Sequence, residues 1–373
     1  MRLAFDAKRV YHNFTGLGNY SRTLLRDLSN RLPESAFYLM TPSVKMRGET
    51  KYFLNSPSYS TITPPPWRKP LWRSRGMLLD LKRIKPDLYH GLSHELPRGL
   101  RRSGIPAVVT IHDLIFRRYP QQYKTWDRRV YDRKFRHACK TADRIVAISE
   151  ATKADIVEFY QTDPARIEVI YQACDERFLI DHDAASLENV RQELALPRQF
   201  SLYLGSLIER KNLLGLIEAL AILPTELRHP LVVVGRGEAY KNTCIARAKE
   251  LGLADLLLFR QATNQDLPSL YQLAHCFLYP SQAEGFGIPV IEALNSGTPV
   301  ITSNCSSLPE AAGPDSLLVD PTDSSAIASA WQHLLEDRDL HQRTSAAGRR
   351  YAERFRADEV TPQMIDLYRE VAG

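Results

Sequence analysis

Cysteine is scarce in this 373-residue chain. Its five cysteines, at 139, 174, 244, 276 and 305, are an odd number with no Cys-x-x-Cys spacing. That excludes a disulfide framework and a cysteine zinc site, and points to a reducing, cytoplasmic compartment. Long apolar runs are also missing. None approaches the roughly 20 residues that cross a bilayer, and the segment after Met1 does not resemble a secretion signal. No short internal repeat or low-complexity tract is present, so solenoids and disordered scaffolds drop out. What remains, 44% hydrophobic and 25% charged residues, is an ordinary globular balance.

Charge is unevenly placed. Residues 1–180 carry 32 Lys and Arg against 18 Asp and Glu, whereas the rest carry 17 against 25. A basic half followed by an acidic half suggests two domains that meet different partners, the first of them anionic. A solvated basic surface is the plainer alternative.

Apolar runs of strand length recur at Arg2–Asp6, Ala36–Thr41, Leu88–His90, Ala107–Ile111, Arg144–Ile148 and Ile167–Tyr171. They alternate with helical patterns such as Asn19–Asn30 and Ala151–Tyr160. The pattern restarts at Phe200–Leu204 and continues through Leu231–Val234, Leu256–Phe259, Cys276–Tyr279, Pro299–Thr302 and Ser316–Val319. Strand and helix alternating twice over predicts α/β architecture: two doubly wound parallel-sheet domains, 1–180 and 181–357. A helix over 358–373 could pack on either domain. Ligands of such sheets sit beyond the carboxyl ends of the strands, in a cleft.

Four segments after predicted strands carry chemistry. Gly16 and Gly18, in Thr15-Gly16-Leu17-Gly18-Asn19, offer backbone amides before a helix, or simply make a tight turn. His112-Asp113 follows Ala107–Ile111, where an imidazole can donate to a substrate oxygen or be a satisfied structural histidine, and Asp113 can orient it or cap the next segment. Arg210-Lys211 opens a helix, where adjacent cations oppose the macrodipole unless an anion such as a diphosphate lies between them. In Glu284-Gly285-Phe286-Gly287-Ile288-Pro289-Val290-Ile291-Glu292, the amides of Gly285, Phe286, Gly287 and Ile288 form an anion cradle at a helix start. Glu284 and Glu292, the latter expected in the helix's first turn, suit the hydroxyls of a sugar and of a ribose.

The Glu-x7-Glu element in Glu-Gly-Phe-Gly-Ile-Pro-Val-Ile-Glu-Ala resembles the donor signature of retaining glycosyltransferases of family 4. The Gly16/Gly18 loop, Ile111-His112-Asp113, Gly205 through Asn212 and Val234-Gly235-Arg236-Gly237 fall in that family's order. The resemblance spans residues 1 to about 355 and implies the GT-B fold, two Rossmann-like domains facing a central cleft. It implies a nucleoside-diphosphate sugar as co-substrate, with no metal and no other cofactor. Arg210 and Lys211 would neutralise the leaving diphosphate, Glu284 hold the sugar, Glu292 the ribose, and His112 would contact the sugar near its anomeric carbon.

The segments look most like mannosyl- or deoxymannosyl-type transferases of O-antigen assembly, which implies a GDP-sugar and a lipid-linked oligosaccharide acceptor. UDP-sugars, and a UDP-sugar 2-epimerase of like architecture, stand as alternatives. The basic, Trp-containing stretches Pro64–Arg75 and Arg117–Lys140 suggest peripheral attachment to an anionic membrane surface at the cytoplasmic face. Nucleic acid is not expected as a partner, since no RNP, KH or helix-turn-helix signature is present.

Overall fold

The computed structural model describes residues 1–373. The chain forms two compact units: Met1–Ala173 with Ala357–Gly373, and Cys174–Arg356. The division falls at 173/174 and not at 180. Residues 174–180 go with the second unit because the Cys174 amide donates to Phe355 O and Phe178 packs edge-on to Tyr271.

The first unit is a parallel sheet of β1 (Arg2–Asp6), β2 (Ala36–Met40), β3 (Tyr59–Ile62), β4 (Leu88–Gly91), β5 (Ala107–Ile111), β6 (Arg144–Ala147) and β7 (Ile167–Val169), in the order β3-β2-β1-β4-β5-β6-β7. Parallel strands covered on both faces read as unbroken apolar runs, and β5, Ala-Val-Val-Thr-Ile, is buried along its whole length. Alternate residues feed two cores: Leu3, Phe5, Leu88, Val108 and Val146 on one face, Ala4, Tyr89, Val109 and Ile145 on the other. The last helix, Ala357–Ala372, lies in the first of these cores through Met364, Leu367 and Tyr368.

The second unit repeats the plan with β8 (Ser201–Leu204), β9 (Leu231–Val234), β10 (Leu257–Arg260), β11 (Cys276–Tyr279), β12 (Val300–Ser303) and β13 (Leu317–Val319), ordered β10-β9-β8-β11-β12-β13. In each sheet the strand order reverses once, between β1 and β4 and between β8 and β11, and polar side chains gather at those two points.

Local expectations needed correction. Gly16 and Gly18 are not loop residues but lie in the first turn of the helix Gly16–Arg31. Glu292 stands in the second turn of Ile288–Asn295, since Gly287 and not Ile288 is the N-cap. Strand β3 was not expected, because it is short and only Tyr59 is buried, Ser60 being exposed and Thr61 and Ile62 half-buried.

Candidate active site

In the second unit the chain leaves β8 at Leu204, and a single turn, Glu209–Lys211, is followed by Asn212 in a left-handed conformation (φ 58°). Asn212 then caps the helix Leu213–Ile222, its Oδ1 accepting from the Gly215 amide at 3.2 Å and its Nδ2 donating to Pro321 O at 2.6 Å. This anchored reversal fixes Arg210 and Lys211 at the carboxyl edge of the sheet. The Gln282 amide donates to Arg210 O at 2.8 Å, tying the turn to the loop after β11.

Glu284 is the centre of the cluster. Its Oε1 lies 3.1 Å from Arg210 Nη1 and 3.1 Å from Lys211 Nζ. It also accepts from Tyr279 Oη at 3.0 Å and from Ser281 Oγ at 2.7 Å. Lys211 Nζ donates in turn to Tyr279 Oη, and Arg210 to Ala283 O. Burial alone would raise the Glu284 carboxyl, but Lys211 and Arg210 outweigh it and hold the group at about 2. All three charged side chains are 12–14% exposed, so the charges are little screened while still reachable.

The next residues form the turn expected from the sequence to cradle an anion. Gly287 sits at φ 138°, a conformation that disfavours any side chain, and a Cβ there would stand 2.9 Å from the Ala311 Cβ. From it rises the helix Ile288–Asn295. Phe286 turns its ring inward against Phe355, so only its backbone can meet a ligand. Ser306 and Ser307, which the sequence reading missed, hold the loop. Ser306 Oγ donates to Glu284 O and accepts from its amide at 3.1 Å, and Ser307 Oγ donates to Phe286 O at 2.7 Å. Their only signal in the sequence is a polar run directly after a strand. Glu292 accepts from Tyr271 Oη at 3.1 Å, and burial, opposed by Arg177, raises its carboxyl to about 7.

In the first unit His112 follows β5 and is 2% exposed. Its Nε2 donates to Leu92 O at 2.9 Å, since a carbonyl can only accept, so Nδ1 accepts from Gln172 Nε2 at 3.1 Å. The ring is therefore neutral, and burial lowers its pKa to about 4. Gln172, not Asp113, orients it; Asp113 Oδ1 accepts from the Ile115 amide at 3.1 Å and caps that turn. A sugar contact at Nε2 requires exchange of the Leu92 bond.

Other expectations shift. The Gly18 amide is already used by Thr15 O and Asn13 Oδ1, both at 3.0 Å. A Cβ at Gly18 would stand 1.8 Å from Asn13 O, so close backbone approach explains that glycine and anion binding does not. Of the Pro64–Arg75 residues expected to face a membrane, Trp72 is fully buried and donates to Asp80 Oδ2 at 2.7 Å. Arg68 pairs with Asp80 at 3.2 Å and Arg73 with Asp6 at 2.6 Å and Glu95 at 2.9 Å. Trp67 and Leu71 stay exposed. Two Asp-x-Asp triplets, at 181–183 and 337–339, are helix-capping segments: Asp183 accepts from the Ser186 amide and Asp337 from that of Leu340. No cluster of three or more His, Cys, Asp or Glu is placed to hold a metal ion, and no helix is long and apolar enough to cross a membrane.

Residues 14–178 match the family model "Glycosyltransferase Family 4" and residues 187–351 match "Glycosyl transferases group 1". The Escherichia coli O-antigen chain mannosyltransferase B is 28% identical over 99% of this chain and 100% of its own length. A serotype-specific mannosyltransferase WbdA of Escherichia coli is 30% identical over 70% of this chain, which spans only 34% of that longer protein. Among solved structures, Anabaena HepE in complex with UDP and glucose superimposes with a TM-score of 0.79 at 18% identity, over 99% of this chain and 100% of that one.

Proposed function

The chain belongs to glycosyltransferase family 4, and from that premise we propose that it moves a hexose from a nucleoside-diphosphate sugar to a lipid-linked oligosaccharide during O-antigen synthesis. The glycosyltransferase activity follows from the family; donor, acceptor and stereochemistry are our reading. The carrying observation is the Arg210–Lys211–Glu284 cluster beside the Gly285–Ile288 cradle, at the reversal point of the second sheet.

The chemistry needs a stabilised leaving group. As the bond from the anomeric carbon to the diphosphate oxygen breaks, negative charge gathers on the phosphates. Arg210 meets it as a planar fork, Lys211 as a point charge and the cradle as backbone dipoles, all fixed before reaction. Glu284 is ionised and accepts from sugar hydroxyls, and Glu292 accepts from a ribose. The acceptor oxygen bonds the anomeric carbon, and its proton passes to the departing phosphate on the same face. Front-face departure with retention is the course we propose, with Glu284 as a sugar ligand and not a nucleophile. The fixed cations do the work a divalent metal would otherwise do, so activity without one is part of the proposal.

The mannosyltransferase names of the two Escherichia coli relatives support a GDP-sugar of mannose or deoxymannose type. The proposal also places the chain at the cytoplasmic face of the membrane, where the excess of Lys and Arg in residues 1–180 would meet the bilayer. Thermal unfolding with GDP, UDP, ADP and dTDP, with and without EDTA, tests donor and metal together. A ligand at about 100 times its Kd adds about 2.7 kcal/mol. Stabilisation by GDP alone, unchanged by EDTA, is expected. Stabilisation by UDP alone overturns the donor, and none by any nucleotide overturns the site.

A further inference from the structure

The carboxyl edge of the first sheet holds an imidazole that the proposed reaction does not use. His94 lies in the loop after β4, at the point where the strand order reverses. Its backbone stands in the left-handed region (φ 60°), uncommon for a residue with a side chain unless its surroundings impose it. Here they do. The His94 amide donates to Thr110 O at 2.9 Å, and the ring lies flat on Phe135 with centroids 4.2 Å apart. The next residue, Glu95, is held by Arg73 at 2.9 Å and by Lys134 at 3.1 Å.

This fixed ring presents one N–H. Nδ1 accepts from the His112 amide at 3.3 Å, so the proton of the neutral imidazole is on Nε2. Burial, with His112, Arg9 and Arg73 nearby, holds the ring well below the usual histidine pKa and keeps it neutral. Nε2–H has no acceptor in the chain, and it is not sealed from solvent as the unpartnered His137 Nε2 is. The His112 ring, with its centroid 5.1 Å away, spends its own Nε2–H on Leu92 O. Of these two adjacent imidazoles, only His94 offers a donor that a ligand can take without breaking a bond.

The surroundings are cationic. Arg73 is matched by Asp6 at 2.6 Å and by Glu95, and Lys134 shares Glu95. Lys8 and Arg9, directly after β1, have no carboxylate partner, and Arg9 reaches only Ser93 Oγ, at 3.4 Å. Because Ser93 adjoins His94, that guanidinium stands beside the free N–H. Burial and then Arg73 lower the Lys8 pKa, as expected of a cation short of counter-charge.

We propose that His94 Nε2–H, Arg9 and Lys8 together bind a phosphate group of the acceptor, and so select acceptors whose sugar is carried on phosphate. A sugar hydroxyl would use the N–H but not the cations; a phosphate oxygen uses all three. The inference rests on the lipid-linked acceptor of the function proposed above and names the residues that recognise its charged group.

NMR of the full chain with isotopically labelled histidine tests it, with decyl diphosphate, inorganic phosphate and the uncharged decyl maltoside as probes. Decyl diphosphate should shift the His94 Nε2 signal and slow exchange of its proton, and decyl maltoside should leave both unchanged. Calorimetry in a Lys211→Ala background, which removes a competing cation of the second unit, measures affinity. Arg9→Gln and His94→Asn, the latter suited to the left-handed backbone, should each weaken decyl diphosphate binding about 10-fold. Lys51→Gln removes an exposed charge from the helix Gly48–Asn55 and should change it little. An unmoved His94 signal in a protein that binds decyl diphosphate would overturn the site, as would no binding at all. An equal shift with decyl maltoside would overturn the phosphate and make His94 a donor to neutral sugars. Inorganic phosphate bound as tightly as decyl diphosphate would overturn the acceptor as its source and assign the residues to a free anion. None of these readings requires sugar transfer, so an absence of transfer in every protein would count against the transferase reading alone.

Discussion

Glu284 is the counter-ion of Arg210 and Lys211, and an incoming diphosphate has to take those cations from it. Glu284→Gln should therefore bind the nucleoside diphosphate several-fold more tightly while sugar transfer falls by about 100-fold or more. Titration calorimetry and initial rates read the two separately; weaker nucleotide binding would show that Glu284 only braces the loop. Lys211→Ala should lose both. Glu292 gives a pH dependence of defined sign. Its pKa is raised in the folded protein to about 7, so it becomes a carboxylate only as pH rises through 7. Affinity for an unphosphorylated nucleoside should rise between pH 6 and 8, and Glu292→Gln should flatten that rise. By linkage, the same group's contribution to stability is fully present below its unfolded value and is lost as pH climbs through 7. Arg210 and Lys211 stood out because adjacent cations before a helix oppose its dipole, and Glu284 and Glu292 because they flank two glycines at a strand's end. Tyr279, Ser306 and Gln172 did not, since a tyrosine ending a buried strand or a serine in a loop is ordinary until its partner is known.

At the scale of the element, strands β1, β5, β9 and β11 could be bounded to the residue from sequence, because buried parallel strands are uninterrupted apolar runs. The Gly16–Arg31 helix could not, since two glycines in a first turn argue against helix until Asn13 is seen to pack against Gly18. The turn before the cradle helix is where backbone and chemistry are most tightly joined. Gly287→Ala forces a side chain into φ 138° and against Ala311, and should cost about 1–3 kcal/mol of stability. Because that turn also aims the amides, nucleotide affinity should fall more than the melting temperature predicts. Unchanged affinity in a destabilised variant would remove the cradle from the binding site.

On the scale of the whole molecule, the charge asymmetry and the two-fold repeat of strand and helix were plain from the sequence, but the destination of the last helix was not. An amphipathic segment declares that one face is buried and not what buries it. Here Val360, Met364, Ile365, Leu367 and Tyr368 enter the core of the first unit. Tyr368 Oη meets His90 Nδ1, His90 Nε2 meets Thr110 Oγ1 at 2.8 Å, and Thr110 Oγ1 meets Tyr20 Oη at 3.1 Å. The Tyr20 ring then stands edge-on to His112 at 4.7 Å. Ending the chain after Arg356 withdraws those side chains at roughly 1.5–3 kcal/mol each, a sum on the order of 10 kcal/mol, and leaves His90 without its partner. That equals the whole stability of a typical domain, so the first unit should unfold. The second unit, Cys174–Arg356, keeps its sheet and its cluster intact and should still be stabilised by the nucleoside diphosphate. Calorimetry of the truncated chain should thus show one transition lost and the other still ligand-sensitive. Two surviving transitions would mean that the helix is dispensable to the unit it completes, and loss of both would mean that the second unit cannot stand without the first.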